Sequence, residues 1–266
     1  MVSFPNCKIN LGLHVVAKRA DGYHDLESVF YPVALNDILE VIPASEMHFV
    51  TSGLPISGSV DSNLCIKAWQ LLKRDYPSLP YVSVYLHKVI PMGAGLGGGS
   101  SDGAFMLQLL SNNFGLALST DQLLSYALEL GSDCPFFILN TPAMATGRGE
   151  HLSPCQIDLS QFTILIVFPG IHVSTASAFS SIRPARSHKS IIDILEQPIA
   201  TWRDELKNDF EPYVFSRHPE IALIKTTLYD QGALYASMSG SGSAVYGIFE
   251  KTPTLSMRQG WEVFVV

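Results

Sequence analysis

The pattern of apolar and polar positions opens with β-prone runs at Lys8 to Val16, Ser28 to Val33 and Ile38 to Ile42, separated by turn signals such as Ala20-Asp21-Gly22. A helix is then predicted from an Asn63 cap through Leu64, Ala68, Leu71 and Leu72. The strand-like run Tyr81 to Ile90 leads into a glycine-rich stretch, after which Phe105, Met106, Leu109 and Leu110 recur at helical spacing. Ser119-Thr120-Asp121-Gln122 has the form of a capping box and opens a helix that stops at Gly131. A strand from Phe162 to Phe168, followed by Pro169-Gly170, marks entry to a second half. That half predicts helices over Lys189 to Glu196, Arg203 to Phe210 and Pro219 to Asp230, then strands in Leu234 to Phe249 and Trp261 to Val266. Both element types interleave, so the expected fold class is α+β.

Composition narrows the partners. The 266 residues carry 17 Lys and Arg against 24 Asp and Glu, a formal charge of −7. Such acidity argues against nucleic acid as a partner, because affinity for polyanions comes mostly from basic side chains that displace counterions. The apolar share of 47% with a charged share of 15% fits a protein with a large interior, and the length allows one or two domains. No basic stretch followed by a long apolar run opens the sequence, and the apolar run Ile164 to Phe168 is too short for a bilayer, so the expectation is a cytoplasmic chain without a membrane partner. Cys7, Cys65, Cys134 and Cys155 form no CxxC pair and read as small interior residues.

The most informative segment is Pro91-Met92-Gly93-Ala94-Gly95-Leu96-Gly97-Gly98-Gly99-Ser100-Ser101-Asp102. Five glycines in seven residues leave backbone N–H groups uncovered, and a helix that starts just beyond adds the positive end of its dipole; together they can cradle phosphate. A net-acidic protein can thus hold a nucleotide through local backbone dipoles. Three other readings compete. Gly93-x-Gly95-x-x-Gly98 matches the dinucleotide fingerprint, but the acid at the right distance, Asp121, opens a helix where a strand should end. Gly99-x-Ser101-x-Gly103 matches a serine hydrolase elbow, although too many loop residues separate Ser101 from the strand. A Walker A loop needs Gly-Lys, which occurs nowhere in the chain.

A fourth reading fits best: Pro91 to Asp102 resembles the phosphate loop of the GHMP kinase superfamily. Lys8-Ile9-Asn10-Leu11 and Ser237-Met238-Ser239-Gly240-Ser241-Gly242-Ser243 stand in that superfamily's order. Further segments resemble the members that phosphorylate a cytidylyl alcohol on the methylerythritol phosphate route to isoprenoid precursors. These are Arg19-Ala20-Asp21-Gly22-Tyr23-His24, Gly131-Ser132-Asp133-Cys134-Pro135, Gly147-Arg148-Gly149-Glu150 and Asn208-Asp209-Phe210-Glu211. Homoserine-type or mevalonate-type kinase activity is the alternative, followed by a hydrolase using Ser101.

Phosphoryl transfer needs the acceptor hydroxyl in line with the γ-phosphate, its proton accepted and the developing charge balanced. Asp133 can accept the proton, and a cation such as Lys8 can hold a nearby carboxylate ionised; without the resemblance they would read as a surface acid beside a helix and a solvated strand lysine. The resemblance implies that Lys8 and Asp133 are the catalytic pair. It also implies that Tyr23 and Phe179 sandwich the cytosine, that His24 bonds its edge, and that Asn10 and Thr175 reach the substrate's polar groups. ATP is expected on Pro91, Met92, Gly93, Ala94, Gly95, Leu96, Gly97, Gly98, Gly99, Ser100 and Ser101, with Lys88 or a neighbour bordering the adenine pocket and 239–243 supporting the loop. Mg²⁺ is expected to travel with ATP, and the sequence offers no dedicated metal ligand. The fold implied is two-domain, with a nucleotide-binding part at 1–156, a substrate-side part at 157–266 and the active-site cleft between them; a monomer or homodimer is expected.

Overall fold

The computed structural model describes residues 1–185, 189–254 and 257–266. The first half of the chain forms β1 (Val2–Ser3), β2 (Asn6–Lys18), β3 (His24–Asn36), β4 (Ile38–Ala44), β5 (His48–Gly53), α1 (Leu64–Asp75), β6 (Tyr81–Lys88), α2 (Gly98–Asn113), α3 (Thr120–Leu130) and α4 (Cys134–Leu139). The second half forms β7 (Ala143–Gly147), β8 (His151–Pro154), β9 (Thr163–Phe168), α5 (Thr175–Ser180), α6 (Ile191–Leu195), α7 (Ile199–Glu205), α8 (Glu211–Arg217), α9 (Pro219–Asp230), β10 (Tyr235–Met238), β11 (Val245–Phe249) and β12 (Glu262–Val265). The strands lie in sheets of order β1-β4-β6-β5, β2-β3-β7-β8 and β10-β11-β9-β12, and the class is α+β. The chain divides into a first unit of Met1–Cys7, Ala34–Met92 and Gly97–Thr141, and a second of Lys8–Val33, Gly93–Leu96 and Pro142–Val266.

In the first unit the alternation of β4 and β6 buries Leu39, Val41, Val82, Val84 and Leu86 and leaves Ile38, Ile42, Tyr81 and Tyr85 exposed. Helix α1 buries the stripe Cys65, Ala68, Trp69 and Leu72, and Asn63 caps it by accepting from Cys65 N–H at 2.9 Å. The Ser119 box that opens α3 has both its reciprocal bonds, Ser119 Oγ to Gln122 N–H and Gln122 Oε1 to Ser119 N–H. Helix α2 starts at Gly98, earlier than its apolar spacing shows, because Gly97 takes a left-handed φ of +73° and turns the chain directly into the helix. Strand β5 gave no clear signal, since it is an edge strand paired parallel to β6 with one face in solvent. Short α4 spans too few residues to show a period.

The second unit buries Leu13 and Val15 of β2, Leu165 and Val167 of β9, and Ile221, Ile224 and Leu228 of α9 in one cluster with Ala236, Val245 and Phe249. One expected helix does not form. The Arg203 to Phe210 segment is helical only to Glu205, and α8 restarts at Glu211. Between them Leu13 N–H donates to Lys207 C=O at 2.9 Å, and Asp209 N–H donates to Leu13 C=O at 2.9 Å, so this backbone pairs with β2 rather than with itself. Asn208 Nδ2 donates to Met238 C=O at 2.7 Å and to Gly240 C=O at 2.9 Å, which fixes the turn that follows β10. Buried Glu211 completes the clamp, accepting from Met238 N–H at 2.9 Å and from Lys225 Nζ at 2.6 Å. Periodicity cannot register such tertiary bonds, and they override local propensity. Among the described residues no helix is long and apolar enough to cross a membrane.

Candidate active site

In the second unit, loop residues Gly93–Leu96 are sewn to two other segments. Lys8 N–H donates to Leu96 C=O at 2.9 Å, and Ala244 N–H donates to Ala94 C=O at 3.0 Å. Ser239 Oγ donates to Gly95 C=O at 2.8 Å. Gly95 has φ +80°, and a Cβ there would stand 1.9 Å from Ser239 O, so only a glycine allows this approach. Beneath the loop, buried Lys8 donates from Nζ to Asn10 Oδ1 at 2.6 Å and lies 4.4 Å above the Phe30 ring. Asn10 Nδ2 donates to Ser28 Oγ at 2.8 Å, and Asn10 C=O accepts from Tyr246 OH at 2.8 Å. Lys8, Asn10, Gly95 and Ser239 are thus one polar cluster, and the 239–244 turn supports the loop as expected.

The residues expected at the cytosine also lie in this unit, each with a protein partner. Tyr23 is 56% exposed, and the Arg148 guanidinium sits 5.1 Å from its ring centroid. Glu150 holds Arg148, accepting from its backbone N–H at 2.5 Å and from Nε at 3.2 Å. The His24 ring stacks on Phe179 at 5.1 Å, and Phe179 meets Phe210 edge-on at 4.8 Å. Thr175 Oγ1 is 2.9 Å from Ser241 Oγ, which ties α5 to the turn after β10. Sequence reasoning singled out Tyr23 and missed the Arg148 cover, although the Gly147-Arg148-Gly149-Glu150 segment carried the signal.

The first unit holds the rest of the loop. Strand β6 ends at Lys88, the chain passes through Pro91 and Met92, and it re-enters at Gly97 to start α2 with Ser101 N–H donating to Gly97 C=O at 2.9 Å. Gly98 packs on Ile90, and a Cβ at Gly98 would come within 2.8 Å of that side chain. Ser101 is fully buried inside α2, and its Oγ has no hydrogen-bond partner among the described residues. Such burial disfavours the hydrolase elbow, which needs an exposed serine. Asp133 stands half-buried at the N-cap of α4.

Lys88 does not reach a pocket surface. Its Nζ is enclosed, donating to Asp37 Oδ2 and, at 2.8 Å, to Asp102 Oδ2. Asp37 Oδ1 accepts from Val89 N–H at 2.6 Å and Ile90 N–H at 2.9 Å, whereas Asp102 Oδ1 is buried with no hydrogen-bond partner among the described residues. Burial works to lower the Lys88 ammonium, but the two facing carboxylates outweigh it and hold the group above its ordinary value. Burial, reinforced by the negative charge of Asp37, pushes the Asp102 carboxyl up despite Lys88.

Residues 63–141 match the GHMP kinases N terminal domain and residues 190–256 match the GHMP kinases C terminal domain. Proteins named 4-diphosphocytidyl-2-C-methyl-D-erythritol kinase from Azobacteroides pseudotrichonymphae and Bacteroides thetaiotaomicron are 52% and 51% identical to the chain; the matches cover 94% and 96% of this chain and 94% of each relative. The chain belongs to the 4-diphosphocytidyl-2-C-methyl-D-erythritol kinase family. A crystal structure titled 4-(cytidine 5'-diphospho)-2C-methyl-D-erythritol kinase superposes with a TM-score of 0.81 at 34% identity, covering 93% of this chain and 90% of that one. The Methanococcus jannaschii mevalonate kinase, at TM-score 0.71 and 12% identity, covering 100% of this chain and 97% of that one, shares the fold.

Uncovered N–H groups in a glycine loop at the start of a helix can hold a triphosphate. Gly95→Ala adds a side chain in a left-handed conformation that costs about 1–2 kcal/mol and drives the loop off Ser239. A loop displacement of about 1 Å lowers kcat/KM for ATP roughly 100-fold. Steady-state kinetics of the variant check this, and wild-type kcat/KM would mean that the close approach does not shape the ATP site.

Proposed function

We propose that the chain transfers the γ-phosphoryl group of ATP to the 2-hydroxyl of 4-diphosphocytidyl-2-C-methyl-D-erythritol, a step of the methylerythritol phosphate route to isoprenoid precursors. The observation that carries this reading is the glycine loop held open by Ser239, Ala244 and Lys8 beside a buried lysine and asparagine. Family membership narrows the acceptor to the cytidylyl alcohol.

The loop N–H groups of 93–100 bind and orient the triphosphate, which holds the γ-phosphorus for in-line attack. Asp133 accepts the hydroxyl proton as the oxygen attacks, and Lys8 balances charge on the transferring group. Asn10 positions Lys8 through their 2.6 Å bond and offers its amide to the substrate. Tyr23, His24 and Phe179 supply aromatic faces for the pyrimidine, worth roughly 1–3 kcal/mol per stacked base. In this reading His24 swings off Phe179 to bond the base edge, and Thr175 reaches a polar group of the substrate. Nucleotide handling is assigned to 1–156, and acceptor recognition draws on Asn10, Tyr23 and His24 from that part with Thr175 and Phe179 from 157–266.

Mg²⁺ fits as an ion carried in by the triphosphate. The described residues include no cluster of three or more His, Cys, Asp or Glu side chains suited to a metal, and Ser101 Oγ is an unpartnered buried hydroxyl on the loop. When bound, the ion neutralises phosphate charge. A net charge of −7 favours small-molecule substrates over nucleic acid, and the protein is proposed to be a cytoplasmic monomer or homodimer.

A coupled assay of ADP release from Mg·ATP tests the reading, with the cytidylyl alcohol, homoserine, mevalonate and galactose as separate acceptors. Release with the cytidylyl compound alone is expected, and release with another alcohol instead would reassign the substrate. Asp133→Asn is expected to lower kcat by about 10²- to 10⁴-fold with little change in ATP affinity. Near-normal turnover would remove Asp133 from the base role.

A further inference from the structure

Residues 89–97 leave β6 and enter α2, and the two ends of this loop are clasped by one buried ion pair, Lys88 Nζ to Asp102 Oδ2 at 2.8 Å. Lys88 lies directly under the loop, since a Cβ on Gly98 would stand 3.3 Å from its Nζ. Two carboxylates face this single cation. They are not equivalent. Asp37 is fully buried and accepts from two backbone N–H groups as well as Lys88, so both its oxygens are partnered. Asp102 is 3% exposed, has the Lys88 bond on one oxygen and leaves the other without a hydrogen-bond partner among the described residues. Lys88 and Asp37 already cancel, so an ionised Asp102 is an uncompensated buried charge in the opening turns of the phosphate-binding helix.

We propose that Asp102 is a positioning residue for ATP, and that its carboxyl takes up a solvent proton when the triphosphate settles on the loop. This rests on the kinase reading above. Phosphate and an ionised Asp102 draw on the same positive potential at the start of α2, so the bound anion disfavours the carboxylate. The proton goes onto a carboxylate oxygen, and Lys88 keeps the clasp by donating to Asp102 Oδ2. The other ionisable groups nearby are Lys88 at the end of β6, Asp37 between β3 and β4, and the buried Cys65 thiol on α1, which burial and the charge of Asp102 push up. The Cys134 thiol of α4 faces Ser100 instead.

In the free protein burial pushes the Asp102 carboxyl up to about 7, into the range where nucleotide binding changes its protonation near neutral pH. Nucleotide raises the value further. The binding contribution is therefore fully present below the free-protein value and is lost as pH rises through the bound-state value. Calorimetric titration with Mg·AMPPNP at pH 7 in buffers of different ionisation enthalpy reads the proton directly. Wild type is expected to take up about half a proton per nucleotide more than Asp102→Asn, since the nucleotide's own protonation is common to both. KM for ATP in wild type should rise by up to about tenfold per pH unit above 7 relative to the variant. Lys88→Met removes the cation that keeps Asp102 partly ionised and must also abolish the extra uptake, which preserves the test if Asp102→Asn does not fold. Equal proton uptake and parallel pH profiles in wild type and the variants would overturn the proposal. Failure of every protein to bind Mg·AMPPNP would instead strike at the kinase reading.

Discussion

The fit of the Gly95 backbone against the Ser239 carbonyl is the constraint on which the rest of the candidate site depends. It requires a residue without Cβ at a left-handed φ, and it lets Ser239 Oγ bond Gly95 C=O while Ala244 N–H bonds Ala94 C=O. The same turn is held from behind by Asn208 and Glu211, which bind Met238 and Gly240. A segment near residue 210 therefore governs the shape of a loop near residue 95. Lys8 and Asn10 join at the front, through Lys8 N–H to Leu96 C=O and the Asn10 to Ser239 contacts.

Charge is handled locally rather than globally. A chain of net charge −7 presents triphosphate with backbone dipoles, and its buried lysines serve different ends. Lys8 donates to Asn10 within the polar cluster that supports the glycine loop. Lys88 is consumed by two carboxylates and closes the loop structurally. The pairing explains why a lysine three residues before Pro91 is not itself an anion contact.

Much of this was legible in the sequence because glycines and caps act locally. The Asn63 and Ser119 caps, the stop at Gly131 and the strand-loop-helix around 81–110 all follow from short-range rules. The order of Lys8-Ile9-Asn10-Leu11, the glycine loop and 237–243 pointed to the family. Long-range bonds were not legible: the Asn208-Asp209-Phe210-Glu211 segment resembled the family, but no local rule shows that Asn208 reaches carbonyls some thirty residues away. Asp37 likewise gave no signal, since its role needs Lys88 and Asp102 from two other elements. The Arg148 cover on Tyr23 joins residues 125 positions apart that no period connects.

Backbone amide hydrogen exchange with and without Mg·ATP tests most directly whether the loop N–H groups carry the triphosphate. Slowed exchange concentrated in residues 93–100 is predicted, since those amides become buried against phosphate oxygens. Tight nucleotide binding with exchange there unchanged, and protection confined to other segments, would contradict it.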